Sequence, residues 1–191
     1  GAPAALPPRE EAAAVFEDVE LHTSADKRTL VVGRGSVVEI DTRAAAARGR
    51  IAALHVLHPW IVAHRIFTLS AIELMRGLGA CYLHAGCVSH GEKGILVCGA
   101  SGRGKSTLTY ALARDNFAFL SDDGVFLRRS GPGIEMFSWP EKLKLDSRSC
   151  SFFEELRPYS GTQVKTEIPL RETGIRRIAK RAVPVALIVP G

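Results

Sequence analysis

The chain has 191 residues, of which 46% are hydrophobic and 24% are charged, and its formal net charge is +5. These values are typical of a soluble globular protein with a substantial core, and the mild positive charge suits an acidic partner or a phosphorylated ligand. The two longest charge-free stretches, residues 51–64 and 77–91, are shorter than the roughly 20 apolar residues that cross a bilayer, so we expect no membrane partner.

The first 55 residues predict a small β-rich part behind a flexible arm, residues 1–14. Residues 15–21 alternate apolar and polar side chains, and two β-branched runs on either side of Gly33-Arg34-Gly35 predict a hairpin. Residues 43–54 are alanine-rich and predict a short helix that Gly49 weakens.

Residues 56–191 predict the main part of a single domain, in which strands and helices alternate. A buried helix is expected over residues 60–77, beginning next to Pro59. The elements expected after it are strands at residues 80–90 and 95–99, a helix at 105–114, a strand at 117–123 and a hairpin at 125–139.

The last third predicts a helix near residues 147–156, a basic segment at 165–181 and an apolar strand at 183–190. The basic segment is either a solvated helix face or a surface that grips an acidic acceptor. It has no interleaved aromatic residues, so we expect no nucleic-acid partner. Because an apolar strand needs a neighbour, we also expect the natural chain to continue past Gly191.

Residues 99–107, GASGRGKST, fit the pattern G-x-x-x-x-G-K-[ST] between an apolar strand and a helix. In such a loop the backbone N–H groups converge on a triphosphate, the lysine reaches its outer phosphates, and the serine hydroxyl ligates Mg²⁺. The residues expected around the phosphates are Gly99, Ala100, Ser101, Gly102, Arg103, Gly104, Lys105, Ser106 and Thr107.

Two adjacent carboxylates, Asp122 and Asp123, close the first strand after the loop helix. If that strand lies beside the loop strand, both carboxylates arrive near the γ-phosphate. One of them could then hold Mg²⁺ while the other takes a proton from an acceptor hydroxyl. The sequence contains no LSGGQ-like or N-K-x-D segment, which argues against an ABC ATPase and a GTPase.

The run from His84 to Asp123 resembles HPr kinase/phosphorylase and its relatives, which share a fold with phosphoenolpyruvate carboxykinases. The family pattern is matched in order by LHAG, GEKG, ILVCG, GASGRGKST and FLSDD, and WPEKLKLD at residues 139–146 is similar to a downstream family segment. The resemblance covers roughly residues 70–150. It implies an α/β fold with a P-loop, a mixed β-sheet core and flanking helices.

Site roles follow from the same resemblance. It implies that His84 assists proton transfer, that Lys105 binds phosphate, and that Ser106 ligates Mg²⁺. Asp122 would be the base and Asp123 a second Mg²⁺ ligand, although the two aspartates could exchange these roles. The E-I-R-G-type signature of the true enzymes is not found, and Cys150 stands in its neighbourhood.

The function expected from the sequence is therefore transfer of the γ-phosphoryl group of Mg-ATP to a serine hydroxyl of a protein or peptide. Two other functions stay open, a small-molecule hydroxyl kinase resembling shikimate kinase and a non-catalytic nucleotide sensor. Four cysteines match no common metal spacing, and three lie in strand-like runs, so we expect reduced cysteines and a cytoplasmic location. A homo-oligomer is left open.

Overall fold

The computed structural model describes residues 8–33, 35–138, 142–161 and 165–191. The chain divides into two compact units, Gly1–Cys81 and Tyr82–Gly191. This boundary lies later in the chain than residue 55, where the sequence analysis ended the β-rich part.

The first unit contains an antiparallel five-stranded sheet in the order β1-β2-β3-β4-β5. Its strands are β1 (Ala14–Phe16), β2 (Val19–Ser24), β3 (Lys27–Val32), β4 (Ser36–Asp41) and β5 (Ala46–Arg50). Its helical segments are α1 (Ala53–Val56), a π-helix at Ile61–Phe67 and α2 (Thr68–Gly77). Ile66 from the π-helix packs among buried side chains of the sheet, including Leu30 and Ile40.

Several sequence-based expectations for this unit are confirmed. The predicted hairpin is β3 and β4, which pair along their whole length, and Arg34 in its turn lies outside the described residues. The predicted helix over residues 60–77 is present, although its first part is a π-helix. Of the predicted arm, residues 1–7 lie outside the described residues, Arg9–Glu11 form a 3-10 turn, and Ala14 begins β1.

The predicted helix over residues 43–54 is wrong. Ala45 takes a left-handed conformation with φ 50°, and Ala46–Arg50 then pair with β4 as an edge strand. Ala53–Val56 alone are α-helical in this stretch. Alanine has the highest intrinsic helix propensity, but such propensities are small per residue, and here pairing with β4 outweighs them.

The second unit contains a mixed sheet in the order β6-β10-β11-β14-β8-β7-β9. Its strands are β6 (Ala80–Leu83), which contains the boundary, β7 (Gly86–His90), β8 (Lys93–Val97), β9 (Ala118–Ser121), β10 (Val125–Ser130), β11 (Gly133–Ser138) and β14 (Arg181–Ile188). A separate pair is formed by β12 (Leu143–Leu145) and β13 (Thr166–Ile168). The α-helices are α3 (Lys105–Arg114) and α4 (Ser147–Ser151).

The α/β class expected from the sequence is confirmed by this mixed sheet and its helices. The predicted hairpin at residues 125–139 is β10 and β11, with Trp139 outside the described residues. The predicted strand at 80–90 is two strands, because the chain leaves the sheet at His84 and Ala85. The predicted helix at 147–156 is α4 followed by a 3-10 helix, Glu154–Tyr159.

The terminal apolar strand finds neighbours within the unit, since β14 lies between β11 and β8 and runs parallel to β8. The basic segment at residues 165–181 contains β13 and a short 3-10 turn, Leu170–Glu172, so the helical reading of this segment is wrong. Of the cysteines, Cys87 and Cys150 are buried, Cys98 is half-buried and Cys81 is exposed.

One hydrophobic cluster joins α3 to the sheet and to α4. It includes Tyr110 from α3, Phe119 from β9, and Cys150 and Phe153 from the α4 region. Tyr110 and Phe153 meet edge to face, with ring centroids 4.7 Å apart. This packing fixes the positions of α3 and α4, the two helices that border the candidate site.

Candidate functional site

The glycine-rich loop occupies the connection between β8 and α3, where the sequence placed it. Gly99, Gly102 and Gly104 have φ values of 147°, 79° and 79°, which side chains with a Cβ rarely adopt. The first N–H of α3 with an acceptor inside the helix belongs to Leu108 and donates to Gly104 O at 2.9 Å. The N–H groups before it are therefore available to an anion at the start of the helix.

Lys105 brings a positive charge to the mouth of this loop. The residue is buried, and its Nζ donates to Gly99 O at 2.8 Å and to Ala100 O at 3.1 Å. The ammonium group thus lies against the loop backbone, close to the N–H groups that would receive an anion. A lysine in this place binds phosphate oxygens as a point charge.

The next two residues differ in their surroundings. Ser106 is half-buried in the first turn of α3. The Thr107 and Ser149 hydroxyl groups are hydrogen-bonded at 2.6 Å, which ties α3 to α4. The first turn of α3 is therefore held on the side that faces α4.

A cavity of about 520 Å³ opens beside the loop and the first turns of α3. Among the described residues, its basic lining residues are Arg103, Lys105, Lys144, Arg148 and Lys165, and its one acidic lining residue is Asp146. Cationic side chains and free helix N–H groups together favour a ligand with several negative charges. The size of the cavity falls in the ordinary range for small-molecule sites.

The two predicted carboxylates emerge together after β9 but have different environments. Asp122 is 1% exposed, and its Oδ2 accepts a hydrogen bond of 2.7 Å from the backbone N–H of Lys144. The Asp123 side chain is 37% exposed, and its Oδ2 lies 3.8 Å from Lys144 Nζ. Lys144 therefore contacts both carboxylates and also lines the cavity.

His84 contacts Asp123. Its Nδ1 lies 2.7 Å from Asp123 O and 3.2 Å from Asp123 Oδ1, and its side chain is 56% exposed. Both partners are acceptors, so Nδ1 carries the hydrogen and donates it. In the neutral ring Nε2 is then the unprotonated nitrogen and is able to take a proton.

The sheet brings these residues to one edge, by a different route from the one that the sequence suggested. The strand with the aspartates does not lie beside the loop strand, because β7 lies between β8 and β9. Since β7 is antiparallel to both, β8 and β9 point the same way and end at the same edge. His84 precedes β7 at that edge, because β7 pairs antiparallel with β8 and begins opposite the end of β8.

Sequence reasoning missed the residues that line the cavity from the segment after β11. They are Lys144, Asp146, Arg148, Ser149 and Phe152. A local signal existed, because Asp is among the residues preferred at a helix N-cap. Asp146 Oδ1 accepts from Ser149 N at 2.7 Å. The part of the predicted family segment at residues 139–141 lies outside the described residues.

Three pKa shifts belong to groups around the site. Hydrogen bonds from Ser149 lower the pKa of Asp146 below its ordinary value. The pKa of the Cys98 thiol is raised, because the effect of burial exceeds the opposing effect of the Lys105 charge. Burial and the hydrogen bond to Glu155 raise the pKa of Tyr110, whose hydroxyl also donates to Thr173 O at 2.6 Å.

Within the described ranges, no group of three or more His, Cys, Asp or Glu side chains is arranged to hold a metal ion. Mg²⁺ in nucleotide sites commonly needs only one or two carboxylates, because phosphate oxygens and water complete its shell. The hydroxyl of Ser106 and the carboxylates of Asp122 and Asp123 are hard oxygen donors of the kind that Mg²⁺ prefers. The chemistry of this donor set fits a magnesium ion that arrives with a nucleotide.

The helices in the described part of the chain are all too short or too polar to cross a bilayer.

The chain matches no family model and no curated protein. Among solved structures it is similar to the HPr(Ser) kinase/phosphatase from Coxiella burnetii, with a TM-score of 0.40 and 17% sequence identity. The match covers 56% of this chain and 63% of that chain, so it spans less than two thirds of the neighbour's length. A likeness of this size establishes neither family nor activity.

Proposed function

We propose that the chain is a phosphotransferase that moves the γ-phosphoryl group of ATP to a serine hydroxyl of a protein or peptide. The observation that carries the proposal is the position of Lys144. It lines the cationic cavity beside the glycine-rich loop, and it contacts both Asp122 and Asp123. These contacts of Lys144 support a single site formed by the glycine-rich loop, the two carboxylates and the histidine.

In this proposal the loop and the start of α3 bind the phosphates of ATP through residues 99–107. Lys105 places its ammonium group on the outer phosphates, and Arg103 and Lys144 add positive charge to the cavity. Such catalysis consists mainly of positioning and charge stabilisation. Mg²⁺, when bound, neutralises phosphate charge, and the residues that would hold it are Ser106 and one aspartate.

The transfer forms a bond between the serine oxygen and the γ-phosphorus and breaks the bond to the oxygen that bridges to the β-phosphate. ADP leaves with that oxygen, and a carboxylate takes the hydroxyl proton. The sequence assigned this proton to Asp122 and the metal to Asp123. The contacts favour the reverse, because a base must touch the incoming hydroxyl. Asp123 is partly exposed and contacts His84, whereas Asp122 is buried.

Two classes of phosphoryl acceptor suit this site. A serine-bearing protein or peptide follows from the resemblance at residues 70–150, and the cationic lining of the cavity is equally compatible with a small hydroxyl compound. The experiment therefore has to offer both classes of acceptor.

The test uses purified protein, Mg²⁺ and γ-labelled ATP with a panel of serine-bearing peptides and proteins beside small hydroxyl compounds. We expect label on a peptide or protein serine, and we expect Lys105→Ala to abolish it. Lys93→Ala is the matched control, since Lys93 is exposed at the opposite end of β8. Label on small molecules alone would replace the acceptor class. ATP binding without any transfer would contradict the proposal and favour a nucleotide sensor.

A further inference from the structure

The cavity beside the glycine-rich loop is lined by apolar side chains as well as by cationic ones. Its apolar lining comes from Leu108 and Ala111 on α3, Leu145 on β12, Phe152 after α4, and Pro190. Leu108 and Ala111 are half-buried and Leu145 is fully buried, but Phe152 is 62% exposed. Ligand pockets are commonly lined by apolar and aromatic side chains, and an exposed ring in such a lining is available to a ligand.

The backbone at Phe152 is held in place by α4. The helix begins at the cap formed by Asp146, whose carboxylate accepts from Ser149 N. It ends where Phe152 N donates to Ser149 O at 3.3 Å. Cys150 is buried in the core, and Ser149 is hydrogen-bonded to Thr107 of α3.

The neighbouring Phe153 shows that the two rings have different roles. Phe153 is 9% exposed and packs edge to face on Tyr110 in the core. Phe152, one residue earlier, is exposed and lines the cavity. The sequence of two adjacent phenylalanines therefore places one ring in the core and leaves the other available to a ligand.

We propose that Phe152 is the stacking surface for the base of the bound nucleotide. This inference rests on the function proposed above and adds the subsite for the base. Along α3, Lys105 marks the phosphate end, and Ala111 follows six residues later, a rise of roughly 9 Å at 1.5 Å per residue. Lys105 and Ala111 line the same cavity as Phe152, so the cavity offers positive charge to the phosphates of a nucleotide and an aromatic face to its base.

Stacking on Phe152 recognises a flat base with little regard to its edge. Aromatic rings stack on every nucleobase, because each base has a π-face. The polar side chains that α4 itself contributes to the cavity lining are Arg148 and Ser149, and Ser149 already bonds Thr107. We therefore expect adenine and guanine nucleotides to bind with similar affinity.

The test compares the binding of ATP, GTP and inorganic tripolyphosphate by calorimetry, in the presence of Mg²⁺. Tripolyphosphate carries the phosphate chain without a base. We expect wild-type protein to bind ATP and GTP more tightly than tripolyphosphate. In Phe152→Ala the Kd for ATP should rise about tenfold or more, since one base–aromatic stack typically contributes this much. The Kd for tripolyphosphate should stay unchanged.

Three further variants make the result specific. Phe152→Trp should retain ATP affinity because it keeps an aromatic face, whereas Phe152→Leu should lose most of it. Ile134→Ala is the matched control, since Ile134 is 52% exposed on β11 and does not line the cavity. Circular dichroism spectra of all variants should coincide with that of the wild type.

Two outcomes would overturn the inference. Equal wild-type affinity for ATP and tripolyphosphate would show that no subsite recognises the base. If Phe152→Ala weakens the binding of ATP and of tripolyphosphate equally, or weakens neither, the ring does not act through the base. If tripolyphosphate binds in a Lys105-dependent way in either case, the phosphate site of the proposed function survives. If neither ligand binds the wild type, both proposals fail together.

Discussion

At the scale of single residues, Lys144 connects the parts of the site by two different groups. Its backbone N–H fixes the Asp122 carboxylate, and its Nζ lies between Asp123 and Glu167, 3.8 Å and 3.9 Å from their nearest carboxylate oxygens. Substitution of Lys144 removes its Nζ group but leaves its backbone N–H, which still donates to Asp122. The residue-scale predictions therefore concern the groups beside it, His84, Asp122 and Asp123, and test the proton and metal roles proposed for them.

His84 should act through the nitrogen that faces away from Asp123. We expect His84→Ala to lower the transfer rate by about 10²-fold or more, since it removes a proton-transferring group, and to leave ATP affinity unchanged. His84→Asn keeps a donor that can reach Asp123 O but has no basic nitrogen. Single-turnover rates across a pH series check this, and an Asn variant with nearly wild-type rates would show that His84 only positions Asp123.

The two aspartates should respond differently to the Mg²⁺ concentration. On the proposed division of roles, Asp123→Asn loses transfer at every Mg²⁺ concentration because it lacks the base. Asp122→Asn instead needs more Mg²⁺ for the same rate, because it has lost a metal ligand. Transfer rates in a Mg²⁺ titration distinguish the variants. The reverse pattern would restore the assignment made from the sequence, in which Asp122→Asn binds nucleotide but does not transfer.

At the scale of elements, α4 depends on its cap at Asp146. Because hydrogen bonds from Ser149 lower the pKa of Asp146, the charged cap stabilises the fold above the ordinary aspartate pKa of about 4. That contribution is lost as the pH falls through this range toward the lowered pKa. We expect Asp146→Ala to cost about 1 kcal/mol of stability at pH 7 and less at pH 3.

Urea unfolding at both pH values measures this effect. Asp146→Asn is the matched control, since its side-chain oxygen still accepts from Ser149 N but carries no charge, so its stability difference from Asp146→Ala should not change with pH. An equal loss for Asp146→Ala at pH 7 and pH 3 would contradict the role of the charge.

The packing of β7 on α3 depends on the absence of a side chain at Gly86. A Cβ at this position would overlap Thr109 Oγ1, which is fully buried and donates to Lys105 O at 2.8 Å. We expect Gly86→Ala to destabilise the protein by about 1–3 kcal/mol through overpacking. Thr109→Ala should recover part of that loss in the double variant, because the two residues share one space. Additive losses in thermal unfolding would refute this contact.

At the scale of the whole molecule, every residue that lines the proposed nucleotide cavity belongs to the unit Tyr82–Gly191. ATP with Mg²⁺ should therefore slow amide hydrogen exchange at residues 99–114 and 143–152, and leave β2, β3 and β4 unchanged. At an ATP concentration one hundred times its Kd, the free energy of unfolding should rise by about 2.7 kcal/mol. Lys105→Ala should remove this protection. Protection that appears instead in the first unit would contradict the location of the site.

Local sequence patterns were enough to predict the glycine-rich loop together with the strand before it and the helix after it. Residues 95–114 predict an apolar strand, a glycine-rich turn and a helix, because spacing and local backbone preferences fix such a unit without help from distant residues. The same holds for the hairpins β3–β4 and β10–β11. It does not hold for Ala46–Arg50, where pairing with β4 outweighs the local preference of alanine for a helix.

The order of the strands, and the cavity lining contributed by the segment after β11, could be seen only in the folded structure. The pairing of β9 with β7 rather than with β8 is a choice that the sequence does not specify. Lys144 and Ser149 reach Asp122 and Thr107 from 22 and 42 residues away. Such contacts form because burial of Tyr110, Phe119 and Phe153 in one core packs α4 against α3. The apolar area that is buried depends on the whole fold, so no local sequence pattern predicts it.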